Sequence, residues 1–122
     1  MNNPIIIAVD AMGGDNSPSK VIEGISLHSK STNNVNYKIF GNTDLINPLI
    51  DKYKIPSERF NLNHTDKFVE GEDTALSAAK RGKNTSLWLA VESLKNDEAH
   101  AMVSAGNTGA LFLISKLNLK MI

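Results

Sequence analysis

Residues 4–10 read PIIIAVD, an unbroken apolar run, mostly β-branched, that stops at a carboxylate. A half-exposed strand would alternate apolar and polar side chains. A continuous run instead predicts a strand buried on both faces, as in a parallel sheet covered by helices on each side. The rest of the chain follows that lead. VNYKIFG (Val35 to Gly41) reads as a second strand, RFNLNH as a third with Phe60, Leu62 and His64 alternating as they would nearer an edge, and AHAMV as a short fourth. Between them lie helical patterns, and strands alternating with helices define an α/β fold with a mainly parallel sheet.

The helices carry their own punctuation. Ser17 is the expected N-cap of the first, with Pro18 at its first position and Val21, Ile22 and Ile25 on one face. Leu45, Ile46, Leu49, Ile50 and Tyr53 form the stripe of the second. Pro48 interrupts it, so this helix either starts at Asn47 or is kinked. Asp73 can cap a short helix through Arg81, closed by Gly82. Asn84 or Thr85 can cap the next, whose Leu87, Ala90, Val91 and Leu94 recur at helical spacing. A last helix is expected from about Asn107 to Leu119. Its Ala110, Leu111, Phe112, Leu113 and Ile114 are apolar nearly all round, which demands cover on every side. Either a partner covers it or the sequence is a fragment.

Bulk properties exclude several function classes. At 122 residues one domain is expected. Thirteen basic and thirteen acidic side chains cancel, so no general field favours nucleic acid. There is no cysteine, which rules out disulfides, thiolate metal sites and cysteine nucleophiles. The start has no basic stretch ahead of its apolar run and does not read as a signal peptide, so a cytoplasmic location is expected. No histidine pair has metal-ligand spacing, and Asp10 and Asp15 alone do not define a metal site. His28 is expected on a helix surface, His64 at a strand end facing the crevice, and His100 packed or solvated.

Two loops stand where α/β sheets bind ligands, beyond the carboxyl ends of strands. DAMGGDNS follows the first strand and SAGNTG the fourth. Both lead into helix N-termini, whose unpaired N–H groups favour an anion, and glycine lets an oxygen approach the backbone closely. The candidates are Asp10, Gly13, Gly14 and Asp15 in the first loop, and Ser104, Gly106, Asn107, Thr108 and Gly109 in the second. Asp10 can equally hydrogen-bond the N–H groups of its own turn. KRGKNTS is a third candidate: Lys80, Arg81 and Lys83 precede Thr85 and Ser86 at a helix start, a plausible phosphate cradle or a solvated basic turn. Neither the dinucleotide fingerprint nor the Walker A pattern is present.

IAVDAMGGDNSPSKVIEGI, KRGKNTSLWLAVESLKNDEAHAMVSAGNTGAL and their separation resemble the PlsX family, the acyl-acyl-carrier-protein:phosphate acyltransferases of phospholipid synthesis. The similarity runs over nearly the whole chain in the family's order. Gly71-Glu72-Asp73-Thr74 departs from the family's usual Asp/Pro-bearing approach to the basic helix. The resemblance implies a Rossmann-like three-layer α/β/α fold, similar to phosphotransacetylases and isopropylmalate dehydrogenases. These 122 residues would be the N-terminal part of a single longer domain and therefore incomplete. It implies orthophosphate and a long-chain acyl-carrier protein as substrates, no cofactor or metal, and a homodimer. It also implies association with a membrane glycerol-3-phosphate acyltransferase, and cytoplasmic residence with peripheral contact at the inner membrane through parts outside this sequence. Gly13, Gly14, Asn107, Thr108 and Gly109 match the family motifs, and Lys83, Thr85 and Ser86 lie in its basic turn. An inactive truncated remnant and a small anion-binding α/β module without acyl transfer remain the alternatives.

Overall fold

The computed structural model describes residues 3–14, 16–68 and 84–104. Strands β1 (Ile5–Asp10), β2 (Val35–Gly41), β3 (Phe60–His64) and β4 (Ala101–Ser104) form one sheet in the order β3-β2-β1-β4. Every pairing is parallel, with Asp10 in register with Phe40 on one side and Ser104 on the other. Helices α1 (Ser19–Ser31) and α2 (Thr43–Tyr53) follow β1 and β2, a 3-10 turn (Ser57–Arg59) precedes β3, and α3 (Ser86–Lys95) precedes β4.

The two sheet faces carry separate cores. Val9, Tyr37 and Ile39 pack with Ile22 and Ile25 of α1 and Ile46 and Ile50 of α2. Ala8 and Phe40 point the other way and meet Ala90 of α3, with Ile6, Leu89 and Met102 at the margin. Burial of large side chains such as Ile22, Ile39, Ile46 and Leu87 is worth about 1.5–3 kcal/mol each. The chain steps from β1 to β2 to β3 in one direction, then returns to place β4 beside β1. Right-handed crossovers in opposite directions put their helices on opposite faces, which is why α3 lies across the sheet from α1 and α2. The sheet order reverses between β1 and β4.

Helix boundaries differ from expectation in two places. Pro18, not Ser17, takes the cap position of α1, and the helix starts at Ser19. Ser17 donates its hydroxyl to the Gly13 carbonyl, so it closes the β1–α1 loop rather than capping the helix. The second helix starts at Thr43, well before Asn47. Asn42 caps it by accepting the Asp44 N–H at 2.9 Å, and Pro48 is accommodated inside the helix on its exposed side. β4 begins at Ala101 rather than Ala99. Thr85 caps α3 as one of the two expected residues, and Leu87, Ala90 and Val91 are buried. The expected helix 73–81 and the expected final helix 107–119 lie outside the described residues.

Gly41, at the end of β2, marks a close approach. A Cβ there would sit 2.6 Å from Ile46 Cδ1 and 3.0 Å from Met12 Cγ and Sδ. Both neighbours are buried, so they have little room to retreat. Gly41→Ala is expected to destabilise the fold by about 1–3 kcal/mol through overpacking. Chemical unfolding measures it, and an unchanged midpoint would contradict the contact.

Candidate functional site

β1 ends at Asp10 because the apolar run gives way there to a turn. The carboxylate lies at the switch in strand order, the position where open α/β sheets bind ligands. Asp10 is only 1% exposed. Its Oδ1 accepts the Ser86 hydroxyl at 2.6 Å and the Met12 N–H at 3.1 Å, and its Oδ2 accepts the Ser104 hydroxyl at 2.9 Å. A buried carboxylate is tolerated when donors of this kind surround it. Asp10 thereby ties together the β1–α1 loop, the first residue of α3 and the last residue of β4. These segments are far apart in sequence and meet only through the fold.

The loop after Asp10 is held on both sides. Ala11 donates its N–H to the Phe40 carbonyl at 3.0 Å. Gly13 is buried and receives the Ser17 hydroxyl. Gly14 adopts φ 90°, a left-handed conformation open to glycine at little cost. Glycine at this position therefore has a conformational reason in addition to any ligand.

The N-terminus of α3 is largely engaged within the fold. Thr85 Oγ1 accepts the Trp88 N–H at 3.2 Å, and Ser86 donates its N–H to the Lys67 carbonyl at 2.9 Å. Thr85 and Ser86 are both fully buried. Lys67 forms a parallel bridge with Thr85, while Thr65 donates its hydroxyl to the Asn84 carbonyl. The chain therefore leaves β3 and re-enters at α3 through one pinned neck, beside the Asp10 cluster. Lys83 directly precedes that neck in sequence.

The structure brings Asp10, Ser86 and Ser104 into direct contact and places Gly13, Gly14 and Thr85 in the segments they join. Asp15, Lys83, Gly106, Asn107, Thr108 and Gly109 lie outside the described residues, as do Lys80 and Arg81. His64 ends β3 and accepts the Thr43 N–H at 3.1 Å, which fastens the start of α2. His28 is exposed, with Nδ1 2.5 Å from the Tyr37 hydroxyl, and His100 Nδ1 accepts the Ile6 N–H at 2.9 Å. Sequence reasoning missed Thr65 and Lys67, which carried no local signal. It anticipated the turn bond that Met12 makes to Asp10, and it singled out Ser17 but assigned it the wrong partner. Among the described residues, no group of three or more His, Asp or Glu is placed to hold a metal ion. None of the described helices is long and apolar enough to cross a membrane.

This arrangement, a carboxylate clamp at the switch of a parallel sheet with helices on both faces, defines a three-layer α/β protein. Residues 5–122 match the family described as fatty acid synthesis protein, and the chain belongs to that family. A phosphate acyltransferase of Pelagibacter ubique is 54% identical over 122 residues, covering 100% of this chain and 36% of that protein. A phosphate acyltransferase of Rhodospirillum rubrum is 39% identical over 120 residues, covering 98% and 34%. One of Caulobacter vibrioides is 40% identical over 121 residues, covering 99% and 34%. The chain thus spans about a third of the length of these curated relatives.

Proposed function

We propose that this chain forms the N-terminal part of a phosphate acyltransferase domain that makes acyl phosphate from long-chain acyl-carrier protein and orthophosphate for phospholipid synthesis. The observation that carries this reading is the Asp10 clamp, which assembles one crevice edge from three separate segments in a chain whose relatives are named phosphate acyltransferases. A phosphate oxygen attacks the thioester carbonyl carbon, forming a C–O bond and moving the carbonyl electron pair onto oxygen. Collapse breaks the C–S bond. The carrier sulfur leaves as thiolate and takes up a proton, giving acyl phosphate and free carrier thiol.

The chemistry needs positioning and oxyanion donors. In this reading Asp10 is a positioning residue, because its bonds fix the loops rather than touch substrate. Backbone N–H groups around Gly13 and Gly14 and in residues 104–109, with the Asn107 and Thr108 side chains, supply donors. Lys83, beside the Thr85–Ser86 helix start, supplies positive charge. The finer expectations are a homodimer, cytoplasmic residence with peripheral contact at the inner membrane, and delivery of acyl phosphate to a membrane glycerol-3-phosphate acyltransferase.

Phosphate binding can be tested apart from turnover. Titrating the chain with orthophosphate is expected to shift backbone amide NMR signals within residues 83–86 or 104–108. Shifts confined elsewhere, or none at millimolar phosphate, would count against the site. The 122 residues alone are expected to make no detectable acyl phosphate; turnover by the purified chain would contradict its reading as part of a larger active unit.

A further inference from the structure

β3 ends at His64, and the next residue still follows the sheet: Thr65 donates its N–H to the Gly41 carbonyl at 2.9 Å. The Thr65 side chain serves a different purpose. Its hydroxyl accepts the Lys67 N–H at 3.2 Å and donates to the Asn84 carbonyl, 19 positions further along the chain. A threonine hydroxyl has one proton to give, and here it goes to the returning segment. Thr65 is 7% exposed, so water competes poorly for either bond. The other bonds described across this neck, from the Ser86 N–H to the Lys67 carbonyl and in the Lys67–Thr85 bridge, are made by backbone. They survive a change of side chain at position 65, and the hydroxyl bonds do not. Two residues beyond Asn84, the Ser86 hydroxyl reaches Oδ1 of Asp10. One hydroxyl just past β3 thus helps to set where the chain re-enters, and that re-entry presents Ser86 to the carboxylate.

We propose that Thr65 is a further positioning residue of the crevice, acting through Asn84 and Ser86 and not on substrate. The inference rests on the acyl-transfer reading, in which Lys83 supplies charge for phosphate, and Lys83 directly precedes Asn84 in sequence. Without the Thr65 hydroxyl, the Asn84 carbonyl and the Lys67 N–H each lose a partner in a buried place, which favours relaxation of the returning segment away from Asp10. A displacement of about 1 Å is enough to weaken a site that works by positioning. The loss falls on phosphate rather than on the acyl-carrier protein, because the displaced segment leads from the basic turn into the start of α3.

The test compares Thr65→Val, which keeps the shape and removes the hydroxyl, with Thr65→Ser, which keeps the hydroxyl. Both are made in a chimera in which this sequence replaces the matching third of the Pelagibacter ubique relative. Ile50→Val, buried in the second half of α2, is the control for a general loss of stability. Acyl phosphate formation is measured against orthophosphate and against acyl-carrier protein, and hydrogen exchange at the Ser86 amide reads the neck directly. For Thr65→Val the expected result is a phosphate KM raised about fivefold, the worth of one neutral hydrogen bond, with the carrier-protein KM unchanged. Exchange at Ser86 is expected to quicken by about tenfold through local opening. Thr65→Ser should match the wild type on all three, and Ile50→Val should leave both KM values unchanged. Equal phosphate KM in Thr65→Val and the wild type, or Ser86 exchange that does not quicken, overturns the proposal. So do parallel changes in both KM values, or the same changes in Ile50→Val, because Thr65 would then contribute stability alone. If Thr65→Val does not fold, Thr65→Ser decides: wild-type KM and exchange support the hydroxyl's role, and a rise in either overturns it. A wild-type chimera without turnover sinks the acyl-transfer reading and this role with it. Normal wild-type turnover with unaltered Thr65→Val kinetics sinks this role only, so the two failures are distinguishable.

Discussion

Asp10→Ala is expected to lower the stability of the chain by about 3–5 kcal/mol, the largest effect of any single substitution at the site. The change removes three hydrogen bonds at once and strands the Ser86 hydroxyl, which is fully buried, and the Met12 N–H. Hydrogen bonds to charged groups contribute roughly 1.5–3 kcal/mol, and a buried donor left unpaired costs about 1–3 kcal/mol. Domains have only about 5–15 kcal/mol in hand, so the variant should be close to unfolding. Asp10→Asn should lose less, because its amide oxygen still accepts and a serine hydroxyl can turn to accept from its NH2. Urea unfolding of both variants checks the order. A loss below about 1 kcal/mol for Asp10→Ala would show that the clamp holds nothing.

The second large effect is expected far from the crevice, at Arg59. Its guanidinium donates to the carbonyls of Val35 at 3.0 Å, Ser29 at 3.1 Å and Thr32 at 3.0 Å. Ser29 and Thr32 belong to the end of α1, whose last carbonyls lack helical partners, and Val35 begins β2. One side chain therefore fixes the turn between two elements. Arg59→Ala is expected to cost about 2–4 kcal/mol, after allowance for partial exposure that lets water replace some of the bonds. Arg59→Lys should recover less than half, because an ammonium on a flexible stem cannot reproduce the planar fork. Thermal melting of the pair measures this, and full recovery by lysine would mean that charge alone matters.

The fold was most legible where one physical signal dominated. The run from Ile5 to Val9 called for a strand between neighbours, and it forms one beside β2 and β4, fully buried at Ala8 and Val9 on opposite faces though Ile5 at its start is exposed. Leu87, Ala90 and Val91 marked the buried side of α3 because their spacing matches one helix face. Local competition hid the rest. Ser17 had the chemistry of a cap, but the Gly13 carbonyl was the nearer need. Pro48 argued for a late helix start or a kink; the late start is excluded, because Asn42 caps the turn ahead of it and the helix runs through the proline.

The candidate site was legible as residue types and not as a constellation. Asp10 stood out as the end of an apolar run, and its bond to the Met12 N–H is the turn interaction expected of it. Its partners Ser86 and Ser104 are 76 and 94 positions away. Only the return of β4 to the side of β1 brings them together, and no local pattern encodes that return. The Lys67–Thr85 neck escaped for the same reason: it joins two stretches with no shared periodicity.

The most direct test of the proposed role is acyl phosphate formation from acyl-carrier protein and orthophosphate by a chimera in which this sequence replaces the matching third of the Pelagibacter ubique relative. The expected result is phosphate-dependent release of carrier thiol by the folded chimera and none by the isolated chain. A chimera that folds and binds acyl-carrier protein, yet forms no acyl phosphate at any phosphate concentration, would contradict the claim that these residues build part of a phosphate acyltransferase site.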